Sequence, residues 1–435
     1  MSPVSRGFHR KREAAPADRV PPGQYVTRDF PVLSAGPTPH TALDRWSFSI
    51  TGGREPKSWT WDEFRALPAE TLTTDIHCVT RWSKLDTTWQ GVSLDVLLAA
   101  VEYESRYALA FSDGGYTTNM PVADLLGGKA WVAFNYEGAP LGAEHGGPAR
   151  LLVPHLYFWK SAKWVRGLRL RHRRARLLGE LRLPHIRRPM AGTAVRGRLT
   201  WQTATVSRVT RETASAVTLL LEVPDWLGHR AGQHVDIRLT ADDGYQAERA
   251  YSIASAPGEP LAITVERLDD GEVSPYLTEE ARPGDQLEVR GPIGGYFVWE
   301  AETGGPLLLA AGGSGVVPLR AILRYRSLAG SSVPVRLLYS SRSWEDVIYS
   351  TELDMPAYGV KVIHTLTRSQ PPKWHGYARR VDRQMLTEVA WPAADRPLAY
   401  VCGPTSFVES VAAGLVGLGY PAGKVKTERF GATGQ

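Results

Sequence analysis

PLLLAAGGSGVVPLRAILRYRSL, residues 306–328, decides how the second half of this chain folds. An apolar run enters a glycine-rich turn, and a longer amphipathic run follows. The first is too short for a helix and reads as a buried strand; the last has helical spacing. Glycines there let the backbone approach a phosphate, and the helix that follows offers unpaired N–H groups and the positive end of its dipole. The pattern is not GxGxxG, so a purely structural strand-to-helix turn would explain it as well. Downstream, VPVRLLYSS, VKVIHTLTR and PLAYVCGP repeat the strand signal between helical stretches. That alternation predicts a doubly wound parallel sheet over residues 301–435.

Toward the N-terminus the grammar changes. TATVSRVTRETASAVTLLLEVP (203–224), AGQHVDIRL (231–239) and LAITVER (261–267) alternate apolar and polar residues, which predicts an antiparallel β-barrel over 199–300. Before it lies RGLRLRHRRARLLGELRLPHIRRP (166–189), the most basic stretch of a chain with formal net charge +6. It carries neither interleaved aromatics nor a nucleic-acid-binding motif, so it reads as a solvated basic linker over 176–198 and no nucleic-acid partner is expected. Residues 20–175 are rich in tryptophan, with short strands such as RWSFSITG (45–52) and turns such as WTWDEFRALP (59–68).

With 435 residues, 43% hydrophobic and 22% charged, the composition is that of an ordinary soluble protein of several domains. No run of eighteen apolar residues occurs, so no membrane span is expected. The first residues are basic and proline-rich and lack the apolar core of a secretory signal and a twin-arginine pair. Residues 1–19 are therefore expected to be a disordered lead-in to a cytoplasmic protein.

The two cysteines, Cys78 and Cys402, lie in different kinds of segment. A structural disulfide, an iron–sulfur cluster, covalent haem and a Cys-rich zinc site all lose their support. A lone cysteine is ordinarily a small buried hydrophobe. Its thiolate is also a soft metal ligand, and one suffices when a cofactor brings the others.

RAYSIAS (249–255), GEVSPYL (271–277), GPIGGYF (291–297), GGSGVVP (312–318), VCGPTSFVESV (401–411) and TERFG (427–431), in this order and spacing, resemble the ferredoxin–NADP reductase superfamily over residues 199–435. The resemblance implies a barrel that binds FAD and a doubly wound domain that binds NAD(P)H. Arg249 then matches the arginine on the flavin pyrophosphate, Tyr251 the ring stacked on the isoalloxazine and Ser252 the hydroxyl near its reactive nitrogen. Gly271, Val273 and Ser274 match the segment that holds the FAD phosphates. Gly312, Gly313, Ser314 and Gly315 would cradle the nicotinamide dinucleotide, with Pro318 beginning the helix. Cys402, Gly403 and Pro404 match the segment beside the nicotinamide, and Phe430 or Glu428 would approach the flavin. Ser340 and Arg342 match positions that can contact a 2′-phosphate. Arg342 favours NADPH while Glu345 and Asp346 oppose it, which leaves NADH and NADPH both open.

DIHCVTRWSKLDTTWQGVSLDVLL (75–98), SDGGYTTNMPVADLL (112–126) and HGGPARLLVPHLYFWKSAKWVRGLRL (145–170) resemble the molybdopterin-binding domain of the sulfite oxidase family, closest to its compact bacterial members. This implies an α+β domain over residues 20–175 in which Cys78 ligates molybdenum. His77 and Arg81 are candidates for a cation that lowers the thiol pKa. His145, Arg150, Ser161 and Lys163 match positions used against the pterin and its phosphate, and Gly146 and Gly147 permit close backbone approach. Tyr116 and Trp82 would line the open metal position, or serve as core aromatics.

Together the halves imply an electron path. NAD(P)H gives a hydride to FAD, and flavin releases electrons singly to molybdenum, directly or after domain movement, without a separate electron-transfer protein. The expected activity is reduction of a small S-oxide or N-oxide. Sulfite-type oxidation in the reverse direction is the alternative, and a flavin reductase with a non-catalytic N-terminal binding domain is a third.

Overall fold

The computed structural model describes residues 3–9, 19–21, 24–172, 199–354 and 359–430. The linker expected at 176–198 lies outside the described residues. Among the described residues, those within Ala14–Val32 and Thr38–Arg187 form one compact unit, and those within Met1–Glu13, Leu33–Pro37 and Arg188–Gln435 form the other.

The N-terminal unit has two sheets and short helices, the α+β architecture expected of it. One sheet runs Tyr25–Val26, Trp82–Ser93, Trp131–Tyr136, Arg150–Leu152, with Ala69–His77 also paired to Trp82–Ser93. The other runs Lys57–Thr60, Ser47–Thr51, Val165–Arg171, Tyr107–Ser112, Thr117–Pro121. In Ser47–Thr51 the strand period puts Phe48 and Ile50 inward, and they join Trp46, Phe64, Leu97 and Val132 in one core. WTWDEF becomes the helix Trp61–Arg65 because Thr60 and Glu63 form a capping box, each side chain satisfying the other's backbone N–H. The antiparallel hairpin Ala69–His77 to Trp82–Ser93 carries Cys78 at the start of its turn.

In the C-terminal unit, six antiparallel strands run Gln246–Ser252, His234–Thr240, Gln286–Ile293, Gln202–Arg211, Ala216–Glu222, Ala262–Glu266. A bridge between Ile253 and Ile263 joins the two ends, so the sheet closes into a barrel. Five parallel strands follow in the order Val360–Leu366, Val335–Ser341, Leu307–Gly312, Leu398–Pro404, Val425–Phe430. On the central strand Leu307 and Leu309 enter one core with the helix Val316–Leu328. Leu308 and Ala310 enter another with the helix Thr405–Gly417. Helices on both faces make the sheet doubly wound, as the alternating sequence pattern predicts.

Three details depart from the sequence expectations. Residues 3–9 pack on the barrel: Phe8 is 3% exposed, its ring meets Tyr276 edge-on, and Tyr276 Oη donates to the Arg6 carbonyl. One aromatic residue between two tyrosines is enough to order part of a segment that composition alone marks as disordered. Leu33–Pro37 groups with the C-terminal unit because Arg429 donates to the Ser34 and Gly36 carbonyls, each at 3.0 Å. Pro318 is the third residue of its helix, which starts at Val316. That is still within the first turn, where a missing N–H costs nothing.

Candidate functional site

Cys78 ends the inward face of its strand. It is 5% exposed and shares a cluster with Phe30, Ile76, Trp82, Trp89 and Phe158. The turn is closed twice, by Cys78 N–H to the Trp82 carbonyl at 2.8 Å and by Arg81 N–H to the Cys78 carbonyl at 3.0 Å. Arg81 takes a left-handed backbone (φ 72°) to complete it. The Thr80 hydroxyl donates to Cys78 Sγ at 3.0 Å. His77, one residue earlier on the strand, places Nδ1 2.9 Å from Ser83 Oγ.

Arg150 is a buried cation of the same unit that interacts with Cys78. It is 1% exposed, and burial pushes its pKa down to about 9, an effect that Cys78 first and Tyr116 second oppose by favouring the charged guanidinium. Its fork donates to the carbonyls of His145 and Ser161, both at 2.7 Å, and lies 4.0 Å from the centre of the Phe158 ring. Two carbonyls gripped by one guanidinium hold the HGG turn against the KSAK segment.

His145, Arg150, Ser161 and Lys163 are thus brought together. Ser161 Oγ accepts the Val153 N–H at 2.9 Å, and Lys163 Nζ donates to the Glu144 carbonyl at 2.6 Å. Gly146 is left-handed (φ 110°), and a Cβ there would lie 2.9 Å from Lys163 Cα. His145 stacks on Phe30 with ring centres 4.0 Å apart. Burial, then Lys163 and Arg150, push its pKa down to about 3, so it is neutral. Phe30 also meets Trp82, Trp89, Tyr136 and Phe158. Around this aromatic box four buried polar atoms have no hydrogen-bond partner among the described residues: Trp82 Nε1, Tyr136 Oη, His145 Nδ1 and Arg150 Nε. Buried polar atoms left unsatisfied cost about 1–3 kcal/mol each. A polar ligand rich in ring donors and acceptors would relieve that cost, which is the fit required of a pterin. Among the described residues no three His, Cys, Asp or Glu side chains converge on a point.

In the barrel, Arg249, Tyr251 and Ser252 lie on the strand Gln246–Ser252, and Tyr251 packs against the barrel core, where burial raises its pKa. The loop before the helix Val273–Pro275 is closed by Ser274 Oγ, which accepts the Leu268 N–H at 3.1 Å, and by Gly271 N–H to the Leu268 carbonyl at 2.9 Å. Val273 is fully buried. In the parallel sheet, Gly315 packs so closely on the Cys402–Gly403 backbone that a Cβ would meet the Cys402 oxygen at 2.0 Å. Gly312, Gly313 and Ser314 complete that turn, with Gly313 left-handed (φ 54°) and Ser314 N–H donating to Glu266 Oε2 at 3.3 Å.

Cys402 is buried, and burial raises its pKa with Glu428 adding to the effect; burial pushes the Glu428 carboxyl up to about 8. The two are paired in register on neighbouring strands, as are Pro404 and Phe430, and Phe430 is 36% exposed. Ser340 pairs with Gly312, and the Arg342 carbonyl accepts the N–H groups of Arg368 and Ser369. Asp346 accepts the N–H and hydroxyl of Ser343 and so is tied into its own turn.

Sequence reasoning did not reach Phe30, Tyr136, Phe158, Thr80, Ser83, Gln24 or Glu266. Thr80 carried a signal, a hydroxyl two residues from the only cysteine of its unit. Ser83 lies on the facing strand of the same hairpin, and the others reach their places through tertiary packing.

Comparison with known proteins matches three stretches of the chain. Residues 35–177 match the oxidoreductase molybdopterin-binding domain, 203–298 the oxidoreductase FAD-binding domain and 309–413 the oxidoreductase NAD-binding domain. An uncharacterized oxidoreductase, YuiH of Bacillus subtilis, is 41% identical over 165 residues, which is 37% of this chain and 83% of that protein. Ferredoxin–NADP reductase B of Sorangium cellulosum is 36% identical over 212 residues, 46% of this chain and 84% of that one. The solved ferredoxin reductase in carbazole 1,9a-dioxygenase covers 83% of this chain and 99% of its own, with TM-score 0.50 and 18% identity, a likeness of fold alone.

Proposed function

The chain belongs to the molybdopterin-binding oxidoreductases through its N-terminal unit and to the FAD- and NAD-binding oxidoreductases through its C-terminal unit, and on that premise we propose that it oxidises NAD(P)H and reduces a small S-oxide or N-oxide. The balance is NAD(P)H plus a proton plus the oxide giving NAD(P)+, the deoxygenated product and water. The molybdenum–pterin group supplies oxygen-atom transfer and FAD supplies the change from paired to single electrons.

The protein's own residues have these roles in the reading. Cys78 gives the metal its one protein thiolate, with the Thr80 hydroxyl on the sulfur and Arg150 as the nearby cation. His145, Arg150 and Lys163, with Trp82 and Tyr136, orient the pterin by hydrogen bonds. Arg249, Tyr251, Ser252 and the 271–274 segment hold FAD. The 312–315 turn and Cys402–Pro404 hold the dinucleotide, and Ser340 with Arg342 receive its adenosine end. Phe430 covers the flavin side. Such a protein needs no separate electron carrier and works in the cytoplasm. Among the described residues no helix is long and apolar enough to cross a membrane.

The observation that carries the reading is the box around Cys78: one buried thiol with a hydroxyl on its sulfur, beside four unsatisfied buried polar atoms. Metal and pterin analysis after expression in a cofactor-competent host tests it. The expected result is molybdenum near one equivalent, lost in Cys78→Ser. NAD(P)H-dependent reduction of methionine sulfoxide is the activity expected of the loaded protein. Reduction of an electron acceptor by sulfite instead would reverse the direction, and absence of molybdenum would reduce the N-terminal unit to a binding module.

A further inference from the structure

Cys78 projects from the turn of its hairpin, and a chain of hydrogen bonds within the same unit ends on that residue. We propose that Gln24 is a positioning residue for Cys78, held in its working orientation by Ser83 and His77. The proposal rests on Cys78 being the metal ligand. Gln24 Nε2 donates to the Cys78 carbonyl at 3.1 Å. Ser83 Oγ donates to Gln24 Oε1 at 2.5 Å, and His77 Nδ1 lies 2.9 Å from Ser83 Oγ.

Donor counting gives this chain one direction. A carbonyl only accepts, so the Gln24 amide must turn its nitrogen toward Cys78 and its oxygen toward Ser83. The amide oxygen cannot donate, so the single proton of Ser83 is spent on it. Ser83 Oγ must then accept from His77, which places the ring proton on Nδ1. Ser83 is fully buried, where hydrogen bonds of this kind are hard to exchange for water.

The effect falls on one peptide plane. The Cys78 carbonyl already accepts the Arg81 N–H within the turn, and Gln24 adds a second donor from outside it. A β-turn needs only the first. The second fixes the carbonyl, and with it the Cα from which the thiol projects. A metal ligand works at a set bond length, so its supporting hydrogen bonds govern affinity and electronic character. Gln24 is itself anchored, because the next residue, Tyr25, pairs with Trp82 and its N–H donates to the Arg81 carbonyl at 2.9 Å. A residue 54 positions away in sequence is thereby brought to the turn that holds the thiol.

Gln24→Glu isolates the bond in question. It keeps an oxygen for Ser83 and removes the donor to Cys78. The full chain, loaded with cofactor, is compared as wild type, Gln24→Glu, Gln24→Ala and Ser83→Ala. Molybdenum content, thermal midpoint and the Mo(V) electron paramagnetic resonance spectrum are recorded for each. The expected result is a shift of the g-values and of the coupling to the Cys78 methylene protons in both Gln24 variants, with a smaller shift in Ser83→Ala. Loss of molybdenum at an unchanged thermal midpoint supports the same role. A wild-type spectrum at wild-type molybdenum content in Gln24→Glu and Gln24→Ala overturns it, as does a lowered midpoint with the spectrum unchanged. Should the Gln24 variants fail to fold, Ser83→Ala decides: a wild-type spectrum there removes the relay. Molybdenum retained in Cys78→Ser is a different failure, one that removes the ligand assignment and the Gln24 proposal with it.

Discussion

Around Cys78, Trp82 Nε1, Tyr136 Oη, His145 Nδ1 and Arg150 Nε are buried and unpartnered among the described residues, whereas in the dinucleotide unit such atoms lie at Gln202, Trp226, His229, Ser341 and His364 and not at the 271–274 and 312–315 turns, which are engaged in the fold. There Ser274 Oγ takes the Leu268 N–H, the Ser314 N–H meets Glu266, and Asp346 is tied to Ser343. The contrast follows from what each unit must hold. A rigid polycyclic group presents a fixed set of donors and acceptors, and matching it takes side chains locked in advance at the cost of polar atoms left unsatisfied. In the proposed reading the long dinucleotide lies along glycine turns, where close approach of the main chain matters beside side chains such as Arg249 and Arg342. The box around Cys78 therefore stands to gain stability when its group binds, whereas the 271–274 and 312–315 turns are already held by their own hydrogen bonds.

Two substitutions set these strategies against each other. Arg150→Ala should be the more damaging. It strips the carbonyls of His145 and Ser161 of charge-assisted donors and leaves a cavity beside Phe158. The expected loss is about 3–4 kcal/mol from the N-terminal unit together with its pterin. Gly315→Ala places a methyl 2.0 Å from the Cys402 carbonyl oxygen. Its expected cost is about 2–3 kcal/mol in the C-terminal unit, with weakened dinucleotide binding and no change in pterin content. Urea titration read by pulsed hydrogen exchange scores peptides of each unit separately. If Arg150→Ala left pterin content intact, or Gly315→Ala removed it, the division of labour would be wrong.

The parts of the molecule legible in the sequence are those that depend on short-range pattern. The 306–328 run showed its strand, turn and helix because period and glycines are local properties, and the 203–267 alternation showed the barrel for the same reason. Cys78 drew attention because composition removed other uses for a scarce cysteine and its flanking segments resemble a molybdopterin-binding domain. Its surroundings were not legible. His77 and Arg81 adjoin it in sequence, whereas Arg150, which also interacts with it, is delivered by a strand of the same sheet. Phe30 lies in a stretch with no regular period, and its stacking on His145 is a tertiary event. The same holds for Phe8, whose burial against Tyr276 no composition argument could anticipate.

The two units should also respond to pH in opposite directions. His145 has a folded pKa of about 3 against an ordinary 6.5, chiefly through burial. Well above pH 6.5 it is neutral in both states and contributes no pH dependence. Below 6.5 the unfolded chain binds a proton that the folded unit refuses, so the N-terminal unit loses stability as pH falls from 6.5 toward 3. Glu428 is shifted by burial from 4.5 up to about 8. Below 4.5 both states are protonated; between 4.5 and 8 the unfolded chain is ionised while the folded one keeps its proton. The C-terminal unit therefore loses stability as pH rises through that window, and the loss levels off above 8. Each effect is expected to reach ~2 kcal/mol, since a tenfold difference in proton affinity between folded and unfolded chain corresponds to about 1.4 kcal/mol before screening by solvent. Urea midpoints measured unit by unit from pH 5 to pH 8 should slope in opposite directions. His145→Gln should flatten only the first slope and Glu428→Gln only the second. Parallel slopes, or one variant flattening both, would mean that the two units do not titrate through the groups their packing buries.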